Sequence, residues 1–301
     1  MRSVLIAFLL VALSAQIGRA AVIVGSKIDT EGALLGNMIL LLLQDHGIAT
    51  QSKLQLGPTD IVRRALLAGA IDLYPEYTGN GAFFFHDEGD PVWRSAKGGY
   101  ARVKALDLKR NHLVWLEAAP ANNTWAIALR RDVARRHGIR DLDQFARYVD
   151  HGGDIRLAAS AEFVNSAGGL PAFEKTYGFR LKGSQLLVLA GGNTAATMRA
   201  AAENISGVDA AMAYGTDGAL SVLGLVALKD DKGAEIVYRP APVVRDAVLK
   251  AHPAIARILD PVFATLTLTR LQKLNAEISV EGLEARKVAR GYLRAAGFLA
   301  K

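Results

Sequence analysis

The chain has 301 residues, 51% hydrophobic and 22% charged, with no cysteine and a formal net charge of +7. Lack of cysteine excludes a disulfide framework, so stability has to come from a packed core, for which the apolar content suffices. Lys and Arg come in ones and twos, as at Arg63-Arg64, Arg130-Arg131 and Arg135-Arg136, mixed with Asp and Glu. Without a basic block interleaved with aromatics, nucleic acid is not an expected partner.

Residues 1–20 have the layout of a cleavable export signal. Arg2 gives a positive start, residues 4–13 are an unbroken apolar run, and Gly18 and Ala20 are small residues at the cleavage positions. Ten apolar residues are too few to span a bilayer, and there is no cysteine to acylate. The remaining chain, about 280 residues, is enough for two lobes of ordinary domain size.

Beyond the leader, short β runs alternate with amphipathic helices, which predicts an α/β architecture. A strand at 22–24 ends in Gly25-Ser26-Lys27. Thr30-Glu31 then opens a helix with Leu34, Leu35, Met38, Leu41 and Leu42 at helical spacing, stopped by Gly47. A strand at 53–56, a helix entered through Pro58 and a third strand at 71–74 follow. The middle predicts strands at 125–129, 155–158, 186–189 and 210–213. The third of these leads through Gly191-Gly192-Asn193-Thr194 into a helix at 195–202. Two helices close the chain: 254–266, interrupted at Pro261, and 281–296, with Val288, Tyr292 and Ala295 on one side. No internal repeat is visible. Open α/β sheets bind ligands beyond the carboxyl ends of their strands. The aromatic-bearing segments 74–80 and 213–217 fall at such ends, and 122–125 leads into a strand.

Familiar catalytic patterns are absent. His46, His86, His112, His137, His151 and His252 are scattered, with no HExxH, so neither a catalytic zinc nor any other metal is expected. There is no GxSxG elbow, P-loop or dinucleotide fingerprint, hence no expected cofactor. The clusters Asp87-Glu88-Asp90 and Asp230-Asp231 lack the alternation of a calcium loop and read as solvated turns. The Gly191-Gly192 turn suits either a helix cap or an anion cradle. Gly25-Ser26-Lys27 ahead of Thr30-Glu31 suits an anionic ligand group or a solvated lysine. Tyr74, Tyr77, Trp125, Tyr214 and Tyr238 sit beside Gly, Pro or Asn; such rings either pack or converge into a cage for a cation.

The segments GSKIDTEGALLGNMI, AIDLYPEYTGNGAFFF, APANNTWAIALR, LAASAEF, AMAYGTDG and APVVR, in this order, resemble the OpuAC/ProX-like osmoprotectant-binding proteins of ABC importers. The resemblance implies a type II periplasmic-binding fold, in which two α/β lobes close as a clamshell. Hinge crossings near Asn122 and Val237 would give lobe one residues 22–122 with 237–301, and lobe two residues 123–236. It further implies a periplasmic, monomeric receptor, not an enzyme. Such a receptor delivers a small quaternary-ammonium solute, such as glycine betaine or choline, to permease and ATPase subunits.

Carried onto this sequence, the family's aromatic box falls on Tyr77, Trp125, Tyr214 and Tyr238. Lys27 and Asn80 match positions facing the ligand's carboxylate, with Ser26 and Thr30 in the same turn. Three departures stand out. Trp125 replaces a common Tyr, Asn123 an acidic residue that assists the cation, and Ser166 an Arg that clamps the carboxylate. A charge-assisted hydrogen bond is worth about 1.5–3 kcal/mol, so loss of that Arg predicts betaine binding weaker by roughly ten- to hundred-fold. The competing classes are an enzyme using Lys27 or Glu76 as acid or base, for which no nucleophile–base pair is visible, and a sensory module, for which no fused domain is visible.

Overall fold

A computed structural model describes residues 21–189 and 194–299. The predicted leader, 1–20, and the Gly191-Gly192-Asn193 turn lie outside the described residues. No helix among the described residues is long and apolar enough to cross a membrane.

The first half runs β1 (Val22–Lys27), α1 (Thr30–Asp45), β2 (Thr50–Gly57), α2 (Thr59–Leu67), β3 (Leu73–Tyr77), α3 (Asn80–Phe84), α4 (Ala96–Asn111) and β4 (Leu113–Trp115). The chain then crosses to β5 (Trp125–Arg130), α5 (Arg131–His137), α6 (Leu142–Asp150), β6 (Leu157–Ser160), α7 (Ala161–Asn165), α8 (Leu170–Tyr177), β7 (Leu186–Leu189), α9 (Thr194–Ala202), β8 (Ala210–Tyr214), α10 (Ala219–Val222) and β9 (Leu225–Ala227). It returns as β10 (Pro240–Arg245) and ends in α11 (Asp246–Ala251), α12 (Ala254–Phe263), α13 (Leu268–Ser279) and α14 (Ala285–Ala295).

Two five-stranded sheets result, ordered β2-β1-β3-β10-β4 and β7-β6-β8-β5-β9. In each, four strands run the same way, and the fourth in order, the one antiparallel strand, is the one that follows a crossing. The two halves thus share a topology that no sequence repeat revealed.

The helices cover both faces of each sheet, as parallel strands require. Below the first sheet, Leu34, Leu35, Met38 and Leu42 of α1 pack with Ile258 and Phe263 of α12, Leu271 of α13 and Leu293 of α14. On its other face Val62 and Leu66 of α2 meet Trp93, Val103 and Trp115. The second sheet is buried by Phe145, Phe163 and Phe173 on one side and by Met198, Ala201 and Leu220 on the other.

Three expectations need correction. The third strand is not 71–74 but Leu73–Tyr77, running through Pro75. Pro75 stands opposite Pro242 of β10, beyond Leu73, where β1 makes its pairing, so its missing N–H breaks no ladder. Helix α12 is not interrupted at Pro261: the proline lies on the exposed face, while Val262 and Phe263 are buried and hold the last turn. Tyr74 does not belong with the cage rings. It is fully buried in the core above the first sheet, its hydroxyl on Glu76.

One polar knot lies inside the first half. The buried Asp107 carboxylate accepts from Arg63 Nη1 (2.9 Å), Trp115 Nε1 (2.7 Å) and Asn111 Nδ2 (2.8 Å). Removing one partner of a buried pair strands the other charge. Asp107→Ala is expected to cost about 3–5 kcal/mol, read as a lower urea midpoint at unchanged slope; a shift within ~0.5 kcal/mol, as for a surface position, would contradict it.

Candidate functional site

The site is assembled where β1, β3 and β8 end and β5 begins. At the end of β1 the chain turns into α1, whose N-cap is Asp29 rather than Thr30: its Oδ1 accepts the Gly32 N–H at 2.7 Å. Thr30 is half-buried in the first turn. Ser26 is fully buried and holds the turn, its hydroxyl accepting the Gln55 N–H (2.9 Å) and donating to the Lys27 carbonyl (3.0 Å).

Lys27 and Asn80, expected to face a ligand carboxylate, converge on a protein carboxylate instead. Glu76 is fully buried, and its Oε1 receives Lys27 Nζ at 2.6 Å, the Tyr77 N–H at 2.7 Å and Asn80 Nδ2 at 2.7 Å. Oε2 accepts the Tyr74 hydroxyl at 2.6 Å. Lys27 Nζ also lies 4.5 Å over the centroid of Tyr77, whose ring thus has one face on a resident cation. A lysine neutralised in this way has little charge left to offer an external anion.

Tyr77 is 6% exposed, and its hydroxyl donates to Glu31 Oε1 at 2.9 Å. Asn123 Nδ2 reaches the same oxygen at 3.3 Å, while Asn123 Oδ1 is buried without a hydrogen-bond partner. Trp125 and Tyr214 are directly opposite each other across β5 and β8, both half-buried. The Trp125 indole stands edge-on to Phe163, 5.6 Å between centroids. Its N–H lies near the Tyr214 hydroxyl without reaching hydrogen-bond geometry and is otherwise unpartnered. Tyr238 packs its ring on Gly79, where a Cβ would come within 2.8 Å of the ring and 2.6 Å of Ile236 Cγ2, so only glycine fits.

The rings share electrostatic neighbours. Burial raises the phenols of Tyr77, Tyr214 and Tyr238, and Asp29 pushes further on both Tyr77 and Tyr214. After burial, Glu235, Tyr214, Glu76 and Glu162 all raise Tyr238. Rings from both sheets and from the second crossing therefore share charged neighbours. Ser166 ends α7 and is half-buried, its N–H on the Glu162 carbonyl at 2.8 Å. Among the described residues no group of three or more acidic or histidine side chains is placed to hold a metal.

The two crossings pair with each other. Tyr238 N–H donates to Asn122 Oδ1 (2.8 Å), Asn123 N–H to the Tyr238 carbonyl (2.9 Å), and the Thr124 hydroxyl to the Ile236 carbonyl (2.8 Å). The Arg239 guanidinium then holds the carbonyls of Ala118 and Ala119.

Sequence reasoning missed Glu31, Asn275 and Glu235. Glu31 registered only as a helix opener, a position where any carboxylate is favoured. Asn275 stands far along the chain and carries no motif. Glu235 is buried, its Oε1 unpartnered, and its carboxyl is pushed up to about 9, chiefly by burial and then by Asp230, with Arg94 pulling the other way.

Three comparisons bear on this geometry. A family model for the substrate binding domain of an ABC-type glycine betaine transport system matches residues 20–295. The chain is 58% identical over 275 residues to the glycine betaine-binding protein YehZ of Escherichia coli (strain K12), covering 91% of this chain and 90% of that one. It is 30% identical over 277 residues to a glycine-betaine-binding protein of Pseudomonas aeruginosa, covering 90% and 86%. Among solved structures, apo YehZ from E. coli matches with a TM-score of 0.83 at 57% identity, over 93% of this chain and 99% of that one. A glycine betaine/carnitine/choline ABC transporter structure matches with a TM-score of 0.79 at 21% identity, over 92% and 99%, a likeness of fold.

Glu235 gives a pH prediction. Its folded pKa is raised above the solvent value of 4.5, so its contribution to stability is complete below pH 4.5 and is lost as pH rises to about 9. Glu235→Gln is expected to remove a slope of up to about 1.4 kcal/mol per pH unit across that window and to be more stable than the parent at pH 8. Parallel denaturation curves for the two proteins at pH 5, 7 and 9 would contradict this.

Proposed function

Because this chain belongs to the OpuAC family of substrate-binding domains of ABC-type glycine betaine transport systems, we propose that it captures a small quaternary-ammonium solute, glycine betaine or choline, between two lobes. The fold is that of periplasmic binding proteins, and the chain is a transport receptor rather than an enzyme. Lobe one is residues 22–122 with 237–301, and lobe two is residues 123–236. The paired crossings at Asn122–Thr124 and Ile236–Tyr238 are the hinge. The leader sends the protein to the periplasm, where it works as a monomer and hands its ligand to permease and ATPase subunits.

The observation that supports the reading is the set of four rings on separate elements that share electrostatic neighbours, Trp125 and Tyr214 being directly paired. Tyr77 comes from β3, Trp125 from β5, Tyr214 from β8 and Tyr238 from the second crossing. Desolvated cation–π contacts are worth roughly 1–2 kcal/mol each, enough in sum for millimolar to micromolar binding. Asn123 Oδ1, buried and unpartnered, offers the methyl groups of the cation a partial negative charge where a full one is absent. At the other end of the ligand, Lys27 and Asn80 are occupied by Glu76. The buried donor still free for a carboxylate is the Trp125 indole N–H. One neutral donor in place of an arginine clamp favours weak betaine binding, and a choline-like cation loses less by that exchange.

Calorimetric titration tests this. Glycine betaine, choline and carnitine are expected to bind saturably and an uncharged sugar not at all, with choline at least as tight as betaine. Silence from every quaternary amine would overturn the reading. Tyr214→Ala is expected to weaken binding tenfold or more, about one cation–π contact, at a nearly unchanged melting temperature, because Tyr214 is only half-buried. Tyr77 is better tested as Tyr77→Phe, since removing so buried a ring would cost about 3–5 kcal/mol of stability. A large fall in melting temperature with unchanged affinity in Tyr214→Ala would make that ring a core residue.

A further inference from the structure

Glu31 has more structural partners than a helix opener needs. It is 4% exposed, on the first turn of α1, and among the described residues it is in no ion pair. Its Oε1 takes the Tyr77 hydroxyl (2.9 Å) and Asn123 Nδ2 (3.3 Å), and its Oε2 takes Asn275 Nδ2 (2.7 Å). The same Asn275 amide donates to the Thr216 carbonyl at 3.0 Å, and one helical turn earlier Gln272 Nε2 donates to the Gly215 carbonyl at 2.8 Å. Helix α13 is fastened by Leu271 and Leu274 to the core beneath the first sheet. Residues 215–218 belong to the loop after β8 of the second sheet. That loop lies so close to α13 that a Cβ on Gly218 would stand 2.1 Å from the Ala276 nitrogen. One carboxylate therefore joins a cage ring, the first crossing and the principal seam between the two halves.

We propose that Glu31 is the closure latch of this receptor: a positioning residue that fixes Tyr77 and Asn123 in binding geometry once the loop after β8 is seated on α13. The proposal rests on the two-lobe receptor reading above. Its chemistry makes closure proton-linked. Burial raises the Glu31 carboxyl to about 7 in the seated form; hydrogen bonds from Thr216, Asn275 and Tyr77 pull the other way, and Asp29 adds to the rise. The groups facing it from the packed elements are Asp29 at the head of α1, Tyr77 of β3, Asn123 of the crossing, Asn275 of α13 and Thr216 of the loop. Lys27, the nearby cation on β1, is bound to Glu76. Parting the lobes returns water to the carboxylate and lowers its pKa towards 4.5. The closed form therefore holds the proton more tightly: closure is favoured most below about pH 4.5, weakens as pH rises to about 7 and is level above that, where both forms are ionised.

The experiment uses choline, whose charge is constant over the range, with the full mature protein. From pH 8 to pH 5.5 the affinity is expected to rise roughly tenfold. Glu31→Gln, which keeps an acceptor for Tyr77 but cannot titrate, is expected to bind with an affinity flat across that range. Asn275→Ala, which removes both the hydrogen bond to Glu31 Oε2 and the tie to the Thr216 carbonyl, is expected to weaken binding at pH 5.5. Because the chain has no cysteine, Arg64→Cys with Arg180→Cys places one dye on each half, and energy transfer then reads closure without ligand. Transfer that rises as pH falls, in the parent but not in Glu31→Gln, supports the latch even if no quaternary amine binds, an outcome that would sink only the ligand reading. Choline binding with the same pH slope in parent and Glu31→Gln, or with no slope in the parent, overturns the latch.

Discussion

A carboxylate taken out of water must be met by donors, and Glu76 is met by four. Lys27 comes from β1, the Tyr77 N–H and the Tyr74 hydroxyl from β3, and Asn80 from the start of α3. Three elements are thereby locked around one buried charge before any ligand arrives. The proposed cage ring on this side, Tyr77, is pinned at its backbone by Glu76, on its face by the Lys27 ammonium and at its hydroxyl by Glu31. A ring held at three points loses little entropy when a cation meets it, which is where preorganised sites gain affinity. The same lock explains why Lys27 has little to give a bound carboxylate.

The other half of the site is built differently. Trp125 and Tyr214 are cross-strand neighbours, stiffened by Phe163 rather than by charge. Between the halves, the crossings are joined by backbone and side-chain hydrogen bonds, with Arg239 gripping the carbonyls of Ala118 and Ala119. Short paired segments of this kind can absorb the backbone rotation of a hinge, as the proposed closure requires.

The alternation of strands and helices in the early and middle chain was legible because its apolar periods are clean, α1 above all. What was illegible lies where short-range rules meet a long-range partner. Proline at 75, 240 and 242 argues against strand in any local reading, yet β3 and β10 run through these residues: Pro75 and Pro242 face one another, Pro240 faces Tyr77, and β3 is there beyond its pairing to β1. β4 and β9 are three residues each, too short to show a period. The family motifs brought Tyr77, Trp125, Tyr214 and Tyr238 to notice, and the fold pairs two of them, Trp125 and Tyr214, across β5 and β8. Motifs mark positions rather than occupancy, however, so the engagement of Lys27 and Asn80 by Glu76 could not be read from them. Glu31 and Asn275 meet only through the packing of α13 on α1, a contact between the two ends of the chain.

That packing has a further consequence for how the molecule comes into being. Helix α1 is buried along nearly its whole length, and its leucines are covered by α12, α13 and α14, which are made long after it. The fourth strand of the first sheet, β10, also arrives late. The second half, by contrast, is one continuous stretch from β5 to β9 and is complete while the first still lacks its floor. A nascent chain thus carries an uncovered leucine helix until its final helices emerge, and the loop that must close to cover it spans most of the sequence. Late coverage keeps the first half open and slow to collapse, and it makes α12, α13 and α14 the part whose truncation would leave the greasiest surface exposed.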